Sequence, residues 1–276
     1  MKKYFLALVL VFGLVSVANA NEIDKCFNYL ESQNYQLALQ AGQNAVRIYP
    51  RSADAHRCLG EAYYNLGYSN LSINELKRAE ELIKYEEAAL LYYYRQLGIY
   101  RDLNNKEGES VALNDIGLIY EEQGKYDKAL EYYNKSLQLT TKPSSIATTY
   151  NNIAIVYSDK GDNNKAVEYY KKAIELGQEA GDYHNTAKYM INLGGAYTNL
   201  KNFQEAQYYL QQGLSMIQKL GDKYVEAAAY VGFGKLYLAQ NQESLAKEYF
   251  TKAYNLLKVI VNNNKAQEVY ENYLKQ

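Results

Sequence analysis

Few side chains in this 276-residue chain could carry acid–base, nucleophilic or metal chemistry. The two histidines are His56 and His184, and the two cysteines are Cys26 and Cys58. His56 stands four residues before Gly60 and reads as a packing residue rather than a catalyst. His184 follows Gly181-Asp182 in a linker, with no partner foreseen nearby. Adjacent acids such as Glu121-Glu122 read as solvated helix surface. No HExxH, CxxC, Gly-rich phosphate loop or GxSxG is present. The sequence therefore points to a protein that is not an enzyme, with no catalytic residue, metal ligand or cofactor.

The elements that position these residues follow from a ladder. Small residues at Cys26, Gly60, Gly117, Ala154, Gly194 and Gly234 are each followed three positions later by Tyr. Twelve positions after each stands Ala38, Ser72, Ala129, Ala166, Ala206 or Ala246, and nineteen after stands another small residue. A ladder repeating every 34 to 40 residues implies stacked supersecondary units. In the row around Gly117, Leu113, Ile116, Gly117 and Tyr120 form one helical stripe, and Ala129, Leu130, Tyr133 and Ser136 form a second. Residues larger than Ala would push two closely crossing helices apart. The doublets Tyr132-Tyr133, Tyr169-Tyr170, Tyr208-Tyr209 and Tyr249-Phe250 place one ring in the core and turn the other toward a neighbouring helix. The cysteines fall in different slots, on different faces at about 100° per residue. Spacing alone favours two unpaired thiols over a bridge.

This small–Tyr–small–small pattern resembles the tetratricopeptide repeat family over about Asn21 to Leu257. The resemblance implies an all-α fold, an α-solenoid of stacked helical hairpins wound as a right-handed superhelix. The later intervals of 37, 40 and 40 residues are similar to those of bacterial peptide sensors and animal adaptors with longer second helices. Gly181-Asp182 and Gly221-Asp222 then serve as helix stop and next N-cap, with Ser144 and Ser145 in the equivalent place. The array is expected over 21–261, with six to seven repeats. It is irregular at 70–107, where a 57-residue interval suggests a helix broken near Lys84 or Tyr85 and a degenerate first helix. Residues 262–276 read as a capping helix.

In such a fold the first helices line a concave groove, and partner peptides lie there. The expected partner-binding residues are Asn114, Asn151, Asn152, Ser158, Asp159, Lys188, Asn192, Thr198 and Asn199. Asn152 and Asn192 stand two residues before the small position, where amides can serve an extended backbone as donor and acceptor. A family mode that grips a C-terminal carboxylate is not expected. Asn152 and Lys188 match two of its slots, but Asn114, Leu118 and Asn192 replace the remaining Lys, Asn and Arg.

Lys2 and Lys3, an apolar run from Tyr4 to Val17, and Ala18-Asn19-Ala20 read as a signal peptide over 1–20, cleaved after Ala20. That predicts export to the periplasm or beyond, with no stable membrane insertion after cleavage. The near-neutral balance of 30 basic and 31 acidic residues gives no nucleic-acid footprint. The expected function is an exported scaffold that binds a protein or peptide in the cell envelope. A structural or self-assembling spacer is the alternative, and self-association is open.

Overall fold

The computed structural model describes residues 22–260, 266 and 269–275. The segment 1–20 and much of 262–276 therefore lie outside the described residues. Among the described residues there is no strand. The helices are α1 (Glu22–Glu31), α2 (Tyr35–Ile48), α3 (Ala53–Asn65), α4 (Ser69–Asp102), α5 (Lys106–Glu122), α6 (Tyr126–Leu137), α7 (Pro143–Asp159) and α8 (Asn163–Glu179). They continue as α9 (Tyr183–Asn199), α10 (Phe203–Leu220), α11 (Lys223–Ala239) and α12 (Glu243–Ile260), followed by a π-helical turn at Tyr270–Leu274. Each ladder row occupies one odd-numbered helix and the even-numbered helix after it. The architecture is an all-α solenoid of consecutive hairpins.

The chain divides into two compact units. One holds α1–α3, α4 as far as Ala88, and Glu122–Gly124; the other holds Ala89–Glu121 and everything from Lys125 onward. In the first unit, Cys26, Ala38, Ala45, Ala55, Cys58 and Ala62 are fully buried. Cys26 and Cys58 are joined in a disulfide, with their Cα atoms 6.3 Å apart. This overturns the preference for unpaired thiols. The face argument compared two slots on a single helix, whereas α1 and α3 are first helices of successive hairpins and meet side by side. His56 is tied on both ring nitrogens, Nδ1 at 2.6 Å from the Glu75 carboxylate and Nε2 at 3.0 Å from the Pro50 carbonyl oxygen.

Helix α4 corrects the reading of 70–107. It runs unbroken through Lys84 and Tyr85 for 34 residues, so there is no degenerate first helix, and one long second helix accounts for the 57-residue interval. The segment contains no proline, and its one glycine, Gly98, sits in a helix. Glu80 and Lys84, an i,i+4 pair 2.8 Å apart, span the supposed break. The helix ends at Asn104, which adopts a φ of 51°, and Asn105 then accepts from the Gly108 amide to start α5.

In the second unit the small residues seat large ones. A Cβ on Gly117 would lie 2.5 Å from the Tyr133 ring, and one on Gly234 2.5 Å from the Phe250 ring. The position four after the second-helix small residue is thus the core plug: Tyr133, Tyr170, Leu210 and Phe250, all buried. The position three after it stacks on the ladder tyrosine. Tyr120–Tyr132, Tyr157–Tyr169 and Tyr197–Tyr209 lie 5.4, 5.5 and 5.7 Å apart, with ring planes within 26° of parallel. Tyr237–Tyr249 is a tilted pair at 5.2 Å. The doublet at Tyr208-Tyr209 is therefore offset by one, since Leu210 is the plug and Tyr208 is exposed.

The linkers follow the expected chemistry in two of three places. Gly181 and Gly221 adopt φ of 68° and 79°, and the Asp182 and Asp222 side chains cap α9 and α11. Asp222 also meets His184 Nε2 at 2.8 Å, a partner the sequence had not suggested. Ser144 and Ser145 instead lie inside α7, which starts at Pro143, and Ser145 donates to Glu107. At the far end Ala266 and Val269 are buried with Ala253 and Leu257, and the Tyr273 ring stacks 4.1 Å from Phe250.

Candidate functional site

The ladder that packs each hairpin also fixes what its first helix presents on the opposite face. In α7, α9 and α11 the residue one after the small position projects away from the plug: Ile155, Gly195 and Lys235. These three helices line a cavity of about 600 Å³, open along one side. Val269 and Tyr273 of the terminal segment contribute to its wall. Of the nine groove residues expected from the sequence, five line this cavity: Ser158, Asp159, Asn192, Thr198 and Asn199.

Three others sit behind it. Asn192 donates to Asn151 (3.0 Å), Asn151 to Asn152 (3.3 Å), and Asn152 to Asn114 (3.2 Å). This amide chain crosses from α9 through α7 to α5. Asn151 and Asn152 are buried. Asn152 is thereby a support that holds Asn151, which in turn orients Asn192. The side-chain oxygen of Asn192, Oδ1, receives no hydrogen bond among the described residues, and Asn192 belongs to the cavity wall. Ser158 and Asn199 both reach the Asn163 carbonyl oxygen, at 3.3 and 3.1 Å. Thr198 is buried and donates back to the Gly194 carbonyl oxygen. Lys188 lies outside this cavity and donates to Asn185 at 3.4 Å.

Asp159 is the acidic group of the cavity. It is exposed at the cavity rim, yet the protein atoms crowded around it displace enough water to push its carboxyl up to about 6, against the pull of Lys235. Asp115, on α5, is likewise raised to about 6 by burial alone. Lys235, Gly195 and Tyr224 are lining residues that sequence reasoning missed. The signal lay beside the ladder: the slot one after the small residue changes from Ile to Gly to Lys, while the ladder columns hold nearly constant.

Cavity and hairpins together describe a helical-repeat interaction scaffold. Tetratricopeptide-repeat models match residues 110–139, 145–219 and 195–258, together just over half of the chain. The chain belongs to the tetratricopeptide repeat family, whose members bind protein partners. No curated protein matches it. It is similar in structure to BtubC (BKLC) from P. vanneervenii, with a TM-score of 0.58 at 20% identity over 68% of this chain and 81% of that one. It is also similar to the apo form of RapI, with a TM-score of 0.51 at 15% identity over 87% and 82% of the two chains. At these identities the likeness is one of fold. Among the described residues no helix is long and apolar enough to cross a membrane.

Proposed function

We propose that this protein is an exported, non-catalytic scaffold of the cell envelope that holds a segment of a partner protein along the inner face of α7, α9 and α11. The observation that carries this reading is the open cavity shared by three consecutive first helices, with the Asn192 side-chain oxygen left to accept a backbone amide. Export rests on the basic–apolar–small order of residues 1–20 and is supported by the disulfide, since such bonds persist in oxidising compartments.

Gly195 supplies the test. A Cβ there meets nothing within 4 Å, so Gly195→Leu fills the cavity without displacing the core. Partners captured by crosslinking in intact cells and identified by mass spectrometry should be lost from Gly195→Leu, with circular dichroism unchanged. Equal capture by the variant would show the groove assignment to be wrong. N-terminal sequencing of the fractionated protein checks export, and a chain starting at Asn21 is expected.

Self-association is the second reading. Ile73, Leu76 and Ile83 are exposed and share one face of α4 at about 100° per residue. It predicts a mass that rises with concentration in sedimentation equilibrium, and a monomer throughout counts against it.

A further inference from the structure

Two charged groups border the cavity on opposite sides. Asp159 closes the last turn of α7, Lys235 lies on α11, and α9 runs between them. Other ions in these hairpins are paired: Lys165 with Asp162 at the start of α8, Lys223 with Glu226 on α11, Lys252 with Glu248 on α12. Asp159 and Lys235 make no hydrogen bond or ion pair among the described residues, although Lys235 is near enough to act on the Asp159 carboxyl. The lining they share includes the apolar side chains of Ile155, Ile191 and Val231, with open space above Gly195.

An unspent side-chain oxygen on Asn192 favours a guest whose backbone amides are free. A helix has already spent its amides internally, whereas an extended strand has not. Packed helices lie roughly 8–10 Å apart, so charges on α7 and α11 are separated by two such steps less the reach of their side chains. An extended chain rises about 3.3 Å per residue. A basic and an acidic side chain with one to three residues between them can therefore meet both ends.

Resting on the groove reading above, we propose that the cavity selects an extended partner segment by charge order. In that segment a basic side chain meets Asp159, an acidic side chain meets Lys235, and the apolar residues between them lie against Ile155, Ile191 and Val231. The partner is thus recognised by a basic–apolar–acidic stretch, and doubly basic or doubly acidic stretches are rejected because one charge then faces its like.

The test uses pools of acetylated, amidated decapeptides, random except for two charged residues separated by one to three apolar residues. Fluorescence anisotropy should show the mixed-charge pool binding the full-length protein at least tenfold tighter than either like-charge pool. Asp159→Lys should transfer the preference to the doubly acidic pool, and Lys235→Glu to the doubly basic pool. A purely structural role for either residue would weaken all pools alike. Equal binding of the three pools, no binding of any pool, or preferences unmoved by both substitutions would overturn the proposal. So would binding confined to peptides with free ends, which would assign the two charges to chain termini. Gly195→Leu separates the levels. If it abolishes partner capture while the charge exchanges do nothing, the groove stands and the charge order falls. If capture survives it, the groove itself falls.

Discussion

The first two hairpins and the last four share one ladder and hold their helices together by different means. The same pair of slots shows it: the residue four before the first-helix small position, and the residue three after the second-helix one. In the second hairpin these are His56 and Glu75, an ionic contact at 2.6 Å. In the fourth and sixth they are Tyr150–Tyr169 and Tyr230–Tyr249, ring contacts at 5.7 and 6.1 Å. The first two hairpins have Ala41 and Glu75 where the later ones have Tyr132, Tyr169, Tyr209 and Tyr249, so they lack the stacked pair on the ladder tyrosine. They contain instead the disulfide, which joins one hairpin to the next. Repeat packing sets where helices cross, and it leaves open whether rings, ions or a covalent bond secure the crossing.

The sharpest test removes the covalent bond. The bridge closes a separation of 32 residues, for which the chain-entropy argument gives roughly 3–4 kcal/mol. Cys26→Ala with Cys58→Ala should strip hydrogen-exchange protection from α1–α3 and leave α7–α12 as protected as before. Equal loss in both sets of helices would mean that the two regions are not secured separately. The matching loss in the later hairpins comes from a ring. Tyr169 lies between Tyr150 and Tyr157, and Tyr169→Leu should cost about 1–2 kcal/mol, because each aromatic pair adds about 0.5–1.5 kcal/mol beyond burial. Exchange should quicken in α7 and α8 and stay unchanged in α1–α3.

A third substitution separates packing glycines from the groove glycine. Gly195→Ala enters open space and gains helix propensity, so it should stabilise by roughly 0.5–1 kcal/mol. Gly234→Ala, next to the Phe250 ring, should lose roughly 1–3 kcal/mol through overpacking. Thermal unfolding of the two variants should therefore move in opposite directions.

What was legible in the sequence was whatever repeats, because a small residue under Tyr133 or Phe250 is demanded in every row. The hairpins, their caps at Asp182 and Asp222, and the polar character of the inner face followed from that. What differs between rows stayed hidden. The disulfide joins helices adjacent through stacking, a relation that face angles along one helix do not contain. Helix α4 was divided because the period called for a break, although no proline or helix-stopping glycine supplied one. The site was half visible: Asn192 and Asp159 sit in columns that sequence reasoning inspected, while Gly195 and Lys235 sit one residue away. Asn152 lies behind the cavity, its side-chain amide engaged by Asn114 and Asn151.

The smallest expected effect is titration of the ionic contact. Burial of His56 disfavours its cation, but the Glu75 carboxylate and the Pro50 carbonyl oxygen outweigh that, and the pKa is raised above 6.5. Below 6.5 both the folded and unfolded chains hold the proton, and the contribution to stability is fully present. As pH rises through the raised folded value the native state loses the proton, and the contribution goes with it. Stability of α1–α3 should therefore decline with rising pH across this window, and His56→Gln should flatten the dependence. The later hairpins place tyrosines in the same slots, so the exchange protection of α7, α8, α11 and α12 should show no matching decline. A parallel decline in those helices would trace the effect to groups other than His56.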